Sequence, residues 1–365
     1  MHFNPYLYSI GAYSIIIMRY EINRISLTAF ARGGVELRLI DFSDCKIDRH
    51  SDYGGSDRKN AIFYNGDRYM IKFSEKQEPK NDYGTSKVNN VISEYLGSHI
   101  FASIGIPVHE TLLGTYNGEL VVACKNFLSP GDTLHEFSWY LRNQYDSHDI
   151  QRTPVIEQVY KTISTDPDLM SIKSSAIERY WDTFVVDAII GNFDRHSGNW
   201  GYIVDSYDHV RLAPVYDCGS CLYPALSSDA MSHVLETEYG IARRIFEFPK
   251  AALLVDGKKA GYYDMMSSGY NKDCDHAVLR IVPKIDVDDI CRVVSDTIIL
   301  SKERKDFYAT MLKNRIEYIA ERAFNRITQD DYDDVAAGRI GSESFKDRKE
   351  VIDEWKRAKA EMEKL

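Results

Sequence analysis

The sequence predicts an α+β chain of two lobes, a small β-rich N-terminal lobe with one main helix and a larger, mostly α C-terminal lobe. Three observations predict it. Two Asn-Gly pairs in the first third sit between apolar and aromatic runs, apolar spacing turns helical after about Phe127, and a long apolar helix then runs into a polar loop. The expected division is 1–125 for the first lobe, 126–325 for the second, and 326–365 for a helical tail.

Composition sets the outer limits. A chain of 365 residues with 44% hydrophobic content can bury at least one large core. A formal charge of −10 without a long Lys/Arg block argues against direct nucleic-acid binding. Six cysteines are too few for a disulfide framework in a chain this long, so a reducing, cytoplasmic compartment is expected. The apolar stretch from Tyr6 to Met18 is shorter than the roughly 20 residues that span a bilayer, and no basic cluster precedes it. Met18 is a second candidate start.

In chain order, Gly54-Gly55-Ser56-Asp57-Arg58-Lys59 can fold backbone amides over an anion, although such a glycine pair is by itself an ordinary loop. Asn60 to Met70 reads as a hairpin, because Asn65-Gly66 readily takes the positive φ angles of a type I′ turn. Lys72 follows in the apolar strand Tyr69 to Phe73, where an unpaired ammonium would be costly. Ser86 can cap a helix whose Val88, Val91, Ile92, Tyr95, Leu96, His99 and Ile100 recur at helical spacing, and Gly105-Ile106-Pro107 ends it. Glu94, near its middle, is placed to pair with Lys72. A second hairpin turns at Asn117-Gly118.

Beyond Phe127, Leu134 with Phe137, Tyr140 and Leu141, then Val155 with Val159, predict helices. Ile177 to Ile190 carries Tyr180, Trp181, Phe184, Val185, Ala188 and Ile189 on one broad face, as a central buried helix does. Residues 286 to 325 read as helices again, and Phe345 to Leu365 as a charged helix with a thin apolar stripe, a docking or dimerising surface.

The long helix leads into GNFDRHSGN, Gly191 to Asn199, and an apolar stretch then reaches LAPVYD, Leu212 to Asp217. Any one of Asp194, Asn199 and Asp217 would ordinarily cap a turn. Together with Lys72 and Glu94 they supply a proton acceptor, oxygen ligands for a magnesium ion and a cation for phosphates, which is what phosphoryl transfer asks of a protein. Cys218-Gly219-Ser220-Cys221 has zinc half-site spacing with Cys274 and His276 as distant partners, but a tight turn after Asp217 is the simpler reading. No GxSxG elbow and no HExxH helix is present.

GNFDRHSGNWGYI followed by LAPVYD resembles the catalytic and metal-binding motifs of HipA-like serine/threonine kinases, and the glycine loop, strand lysine and helix glutamate stand in that family's order. With about 50 residues before the glycine loop, the chain is similar to the short, HipT- or CtkA-like members. The resemblance implies a two-lobed protein-kinase-like fold and a cytosolic kinase that uses ATP and Mg2+. It implies Asp194 as the catalytic aspartate, His196 near the phosphates, Asn199 and Asp217 as magnesium ligands, and Lys72 on ATP. It implies a hinge from Lys125 to Phe127 against the adenine, and Ser51 or Ser56 as a site of autophosphorylation. A protein substrate and an antitoxin partner are also implied. A small-molecule or lipid kinase of the same fold, or a non-enzymatic nucleotide sensor, are the alternatives.

Overall fold

The computed structural model describes residues 39–48, 59–74, 90–146 and 152–336, with side chains to residue 329. Ser51, Gly54, Gly55, Ser56, the Ser86 cap, the Tyr6 to Met18 stretch and the expected helix from Phe345 lie outside these residues. The chain divides into two compact units, 1–41 and 42–365. In the first, Ile40–Asp41 forms a short strand, β1.

The second unit opens with β2 (Lys46–Ile47), β3 (Lys59–Tyr64) and β4 (Asp67–Phe73), followed by helix α1 (Asn90–Ser103), β5 (Thr111–Tyr116) and β6 (Glu119–Lys125). These strands pair antiparallel in the order β5-β6-β4-β3-β2. Both hairpins turn where the sequence requires it, with φ of 51° and 87° at Asn65 and Gly66, and 51° and 77° at Asn117 and Gly118. Strand β4 is paired on both edges, and toward its end Tyr69, Ile71, Lys72 and Phe73 are buried, so both of its faces are covered there. Met70 shares a face with Lys72 by the two-residue period, and it packs with Val122, Cys124 and Val91 of α1. The long lysine stem is therefore held in an apolar wall.

The C-terminal lobe begins with β7 (Thr133–Glu136), which continues directly into α2 (Phe137–Gln144). Leu134 therefore belongs to a strand, contrary to the helical expectation. It pairs with Ile203 of β8 (Gly201–Val204), and its three-residue offset from Phe137 imitates a helical period because strand and helix abut without a turn. Strand β9 (Val210–Leu212) completes this small sheet. Asp217 lies five residues past its end, in a loop and not at the strand terminus the sequence suggested.

Helix α3 (Ile156–Thr165) precedes the central helix α4 (Lys173–Ile190). Trp181, Phe184, Val185, Ala188 and Ile189 are buried as their spacing predicts, while Tyr180 is half-buried. Around α4 pack the later helices, including α5 (Ser228–Leu235), α6 (Glu238–Ala242), α7 (Tyr262–Ser267), α8 (Lys272–Ile281), α9 (Val287–Ser295), α10 (Lys302–Arg315) and α11 (Arg322–Ala336), and the hairpin β10 (Lys250–Val255) with β11 (Lys258–Gly261). Helix α4 ends at Gly191 in the left-handed conformation, φ 63°, which turns the chain out of the core and into the polar loop.

Candidate active site

The N-terminal lobe contributes a buried ion pair. Lys72 Nζ donates to Glu94 Oε2 at 2.8 Å and to Asp217 Oδ1 at 3.0 Å, so one ammonium joins β4, α1 and the loop after β9. Burial alone would push the Lys72 pKa down, but Asp217 and Glu94 overcome it and hold the ammonium charged well above its usual range. Burial likewise opposes the charge on Glu94, and Lys72 together with His109 holds it below the usual carboxylate range. The other Glu94 oxygen accepts from the Cys218 backbone N–H at 2.9 Å and lies 2.9 Å from His109 Nε2. Helix and loop are thus fixed by the same carboxylate.

The C-terminal lobe supplies the remaining groups. Asn199 Nδ2 donates to the Asp194 carbonyl at 2.8 Å, which closes the loop and leaves Oδ1 as the acceptor atom of that amide. The Asp194 carboxylate, 35% exposed, accepts from Arg152 Nη2 at 3.3 Å. His196 Nδ1 accepts from the Gly198 N–H at 3.0 Å, so in the neutral ring the proton is on Nε2. That Nε2 is buried without a hydrogen-bond partner among the described residues and lies 3.9 Å from Asp194 Oδ2. Burial lowers the His196 pKa; Asp194 counters this and Arg152 reinforces it, which keeps the ring neutral at pH 7.

Asp217 has φ 57°, a left-handed conformation that costs a β-carbon residue about 1 kcal/mol. Its neighbours hold it there. The Arg195 guanidinium donates to the carbonyls of Asn199 at 3.0 Å, Asp217 at 3.3 Å and Tyr216, and on its other edge to both carboxylate oxygens of Asp187 at 2.9 and 3.2 Å.

The expected hinge residues are arranged differently from one another. Phe127 stacks on Tyr216 with ring centroids 5.9 Å apart. Lys125 Nζ is engaged by Asp67 at 2.6 Å and Glu110 at 3.6 Å. Lys59 opens β3 directly opposite Lys72.

The sequence HipA-like C-terminal domain model matches residues 51–268, a span that contains Lys72, Glu94, the Asp194 loop and Asp217. The chain belongs to the HipA-like C-terminal domain family. It is 36% identical over 294 residues to Serine/threonine-protein kinase CtkA of Helicobacter pylori, covering 79% of this chain and 88% of that protein. The crystal structure of the Helicobacter pylori proinflammatory kinase CtkA superposes with a TM-score of 0.74 at 36% identity, over 80% of this chain and 98% of that one. A structure of the Shewanella oneidensis MR-1 toxin-antitoxin system HipA, HipB and operator DNA complex matches with a TM-score of 0.47 at 16% identity, over 81% and 75% of the two chains. The HipA-like chain has the two-lobed, kinase-like α+β fold of CtkA, and with it the enzyme class of a phosphotransferase. Among its described residues no helix is long and apolar enough to cross a membrane.

Sequence reasoning passed over Asp187, Arg195 and His109. An acid inside the otherwise apolar run Phe184 to Ile190 was the available signal for Asp187, and Arg195 stands within the family's own DRH string. His109 carried no local signal, since its role depends on the fold bringing it to Glu94. Cys218 and Cys221 are buried, and the turn between them is closed by the Cys221 N–H on the Cys218 carbonyl at 3.1 Å. Burial pushes the Cys218 thiol up to about 12. Among the described residues, Glu94, His109 and Cys124 bring ligand atoms within 4.8 Å of one another, but Glu94 there is committed to Lys72.

Proposed function

We propose that this protein is an ATP- and magnesium-dependent serine/threonine protein kinase of the HipA-like toxin type, which phosphorylates a cytosolic protein and itself. The observation that carries this reading is the single ammonium of Lys72 joined to both Glu94 and Asp217 at 2.8 and 3.0 Å. That arrangement is the one in which a strand lysine can meet phosphate oxygens while a helix carboxylate holds it in place. The 36% identity to a serine/threonine-protein kinase supports the acceptor class. Six cysteines in a chain of this length do not make a disulfide framework, which supports a reducing cytoplasm.

The residues fit a hard divalent cation. Asn199 Oδ1 and the Asp217 carboxylate are oxygen donors, and Asp217 stays 38% exposed within an otherwise buried frame. Bound magnesium would offset negative charge on the nucleotide's phosphates. Lys72 contacts the phosphates, with Glu94 holding the ammonium in place. Asp194 accepts the proton of the acceptor hydroxyl, and the Nε2–H of His196 is free to donate toward the transferring group. Gly54, Gly55, Ser56 and Lys59 cover the phosphates, Phe127 and the Lys125 backbone border the adenine, and Ser51 or Ser56 takes the autophosphorylation. Arg152 engages only Oδ2 of Asp194, at 3.3 Å, so Oδ1 can meet the acceptor hydroxyl while that contact stands.

Incubation of the purified chain with labelled ATP and a cell lysate, followed by phosphosite mapping, tests the reading. Label is expected on serine or threonine of the chain and of a protein target, and Asp194→Ala and Asp217→Ala are each expected to lower transfer at least about 100-fold. Undiminished transfer in both folded variants would remove the site assignment. Label on lipids or metabolites in place of protein would move the acceptor to the small-molecule class.

A further inference from the structure

Arg195 is only 8% exposed, yet it is not a spare cation balanced by one acid. Its Nε and Nη2 form a fork onto Asp187, itself 1% exposed in the interior of α4 and further fixed by the side-chain amide of Asn192 at 3.0 Å. Its Nη1 faces the opposite way and is shared by the carbonyls of Asn199, Tyr216 and Asp217. Nη2 also reaches Cys218 Sγ at 3.4 Å. One planar group therefore anchors two separate segments to the buried C-terminal half of α4. These two segments bear Asn199 and Asp217.

We propose that Arg195, seated on Asp187, is a positioning residue that sets the spacing between Asn199 and Asp217, so that their side-chain oxygens present themselves to the same divalent cation. This rests on the metal roles proposed above. The left-handed φ of Asp217, 57°, has an immediate counterpart in this clamp, because the Asp217 and Tyr216 carbonyls are what Arg195 holds. A lysine cannot replace it. An ammonium can satisfy Asp187, but it lacks the rigid fork that reaches a carboxylate on one side and backbone carbonyls on the other.

The test uses Arg195→Lys in the full-length chain, with circular dichroism confirming the fold, and Mn2+ titrated by electron paramagnetic resonance in the presence of ADP. The expected result is Mn2+ binding at least tenfold weaker than in the unaltered protein. In the kinase assay kcat is expected to fall and to recover partly at high Mg2+, while KM for ATP at saturating Mg2+ changes less than about twofold. A folded Arg195→Lys protein whose Mn2+ affinity stays within twofold of the unaltered protein overturns the clamp and leaves the proposed function standing. Absence of Mn2+ binding in the unaltered protein overturns both.

Should Arg195→Lys fail to fold, amide exchange on the unaltered protein decides the matter. Addition of Mn2+ and ADP is expected to slow exchange at Asn199 and Cys218 together. Slowing at one without the other would overturn the proposal.

Discussion

At the scale of single residues, the account depends on charges that are buried because they are paired. Removing Lys72 leaves Glu94 facing His109 and the Cys218 N–H without its ammonium. An uncompensated buried carboxylate costs about 3 to 5 kcal/mol, so Lys72→Met is expected to lower the urea midpoint markedly as well as abolish transfer. Lys72→Met combined with Glu94→Gln should recover much of the stability and none of the activity, which separates the structural cost from the chemical one. A double-variant midpoint no higher than that of Lys72→Met would contradict this. The pH dependence follows with a defined sign. His196 has a lowered pKa in the folded state, so the unfolded chain takes up its proton first and stability falls as pH drops below about 6.5. Glu94, also held low, contributes stability above its unfolded value of about 4.3 that is lost as pH falls further. Urea titrations between pH 8 and pH 5 should show the first loss, and His196→Asn should flatten it.

At the scale of elements, the loop that carries Asp194 is aimed by the way α4 ends. Gly191 sits at φ 63°, and a β-carbon there would lie 3.0 Å from Pro249 Cγ. Both the backbone conformation and the lack of space oppose any side chain, so Gly191→Ala is expected to cost more than about 1 kcal/mol. It should also depress transfer by displacing Asp194. Thermal melting and single-turnover transfer measured on the same preparation check both effects, and a variant of unchanged stability would show that the turn does not need glycine. The hairpin glycines make a useful contrast. A β-carbon at Gly66 or Gly118 meets nothing within 4 Å, so alanine there strains the turn through φ alone and should leave transfer intact.

At the scale of the whole molecule, the parts governed by local rules were legible in the sequence. The Asn-Gly turns and the α4 stripe depend on nearest neighbours and periodicity, whereas the roles expected of Lys72, Glu94, Asp194, Asn199 and Asp217 rest on residue chemistry and on the resemblance to HipA-like kinases. Other features depend on what the fold brings together, and these were not. Leu134 reads as helical because strand and helix adjoin without a break, and Asp217 reads as a strand end because the apolar run continues past Leu212, although Pro214, with no N–H to give a ladder, marks where β9 stops. Arg195 reaches the Tyr216 and Asp217 carbonyls across 21 and 22 residues, and His109 reaches Glu94 across 15, in each case between different elements that no single periodicity joins. What unites the two lobes is that Lys72 of the sheet and Asp217 of the helical lobe meet at 3.0 Å, at a position a nucleotide's phosphates and a divalent cation could share. Calorimetric titration with a non-hydrolysable ATP analogue, with and without Mg2+, tests that union most directly. The account predicts binding that requires Mg2+, is weakened at least about tenfold by Asp217→Ala, and survives in Asp194→Asn even though transfer is lost. Binding of equal strength without Mg2+ and in Asp217→Ala would contradict it.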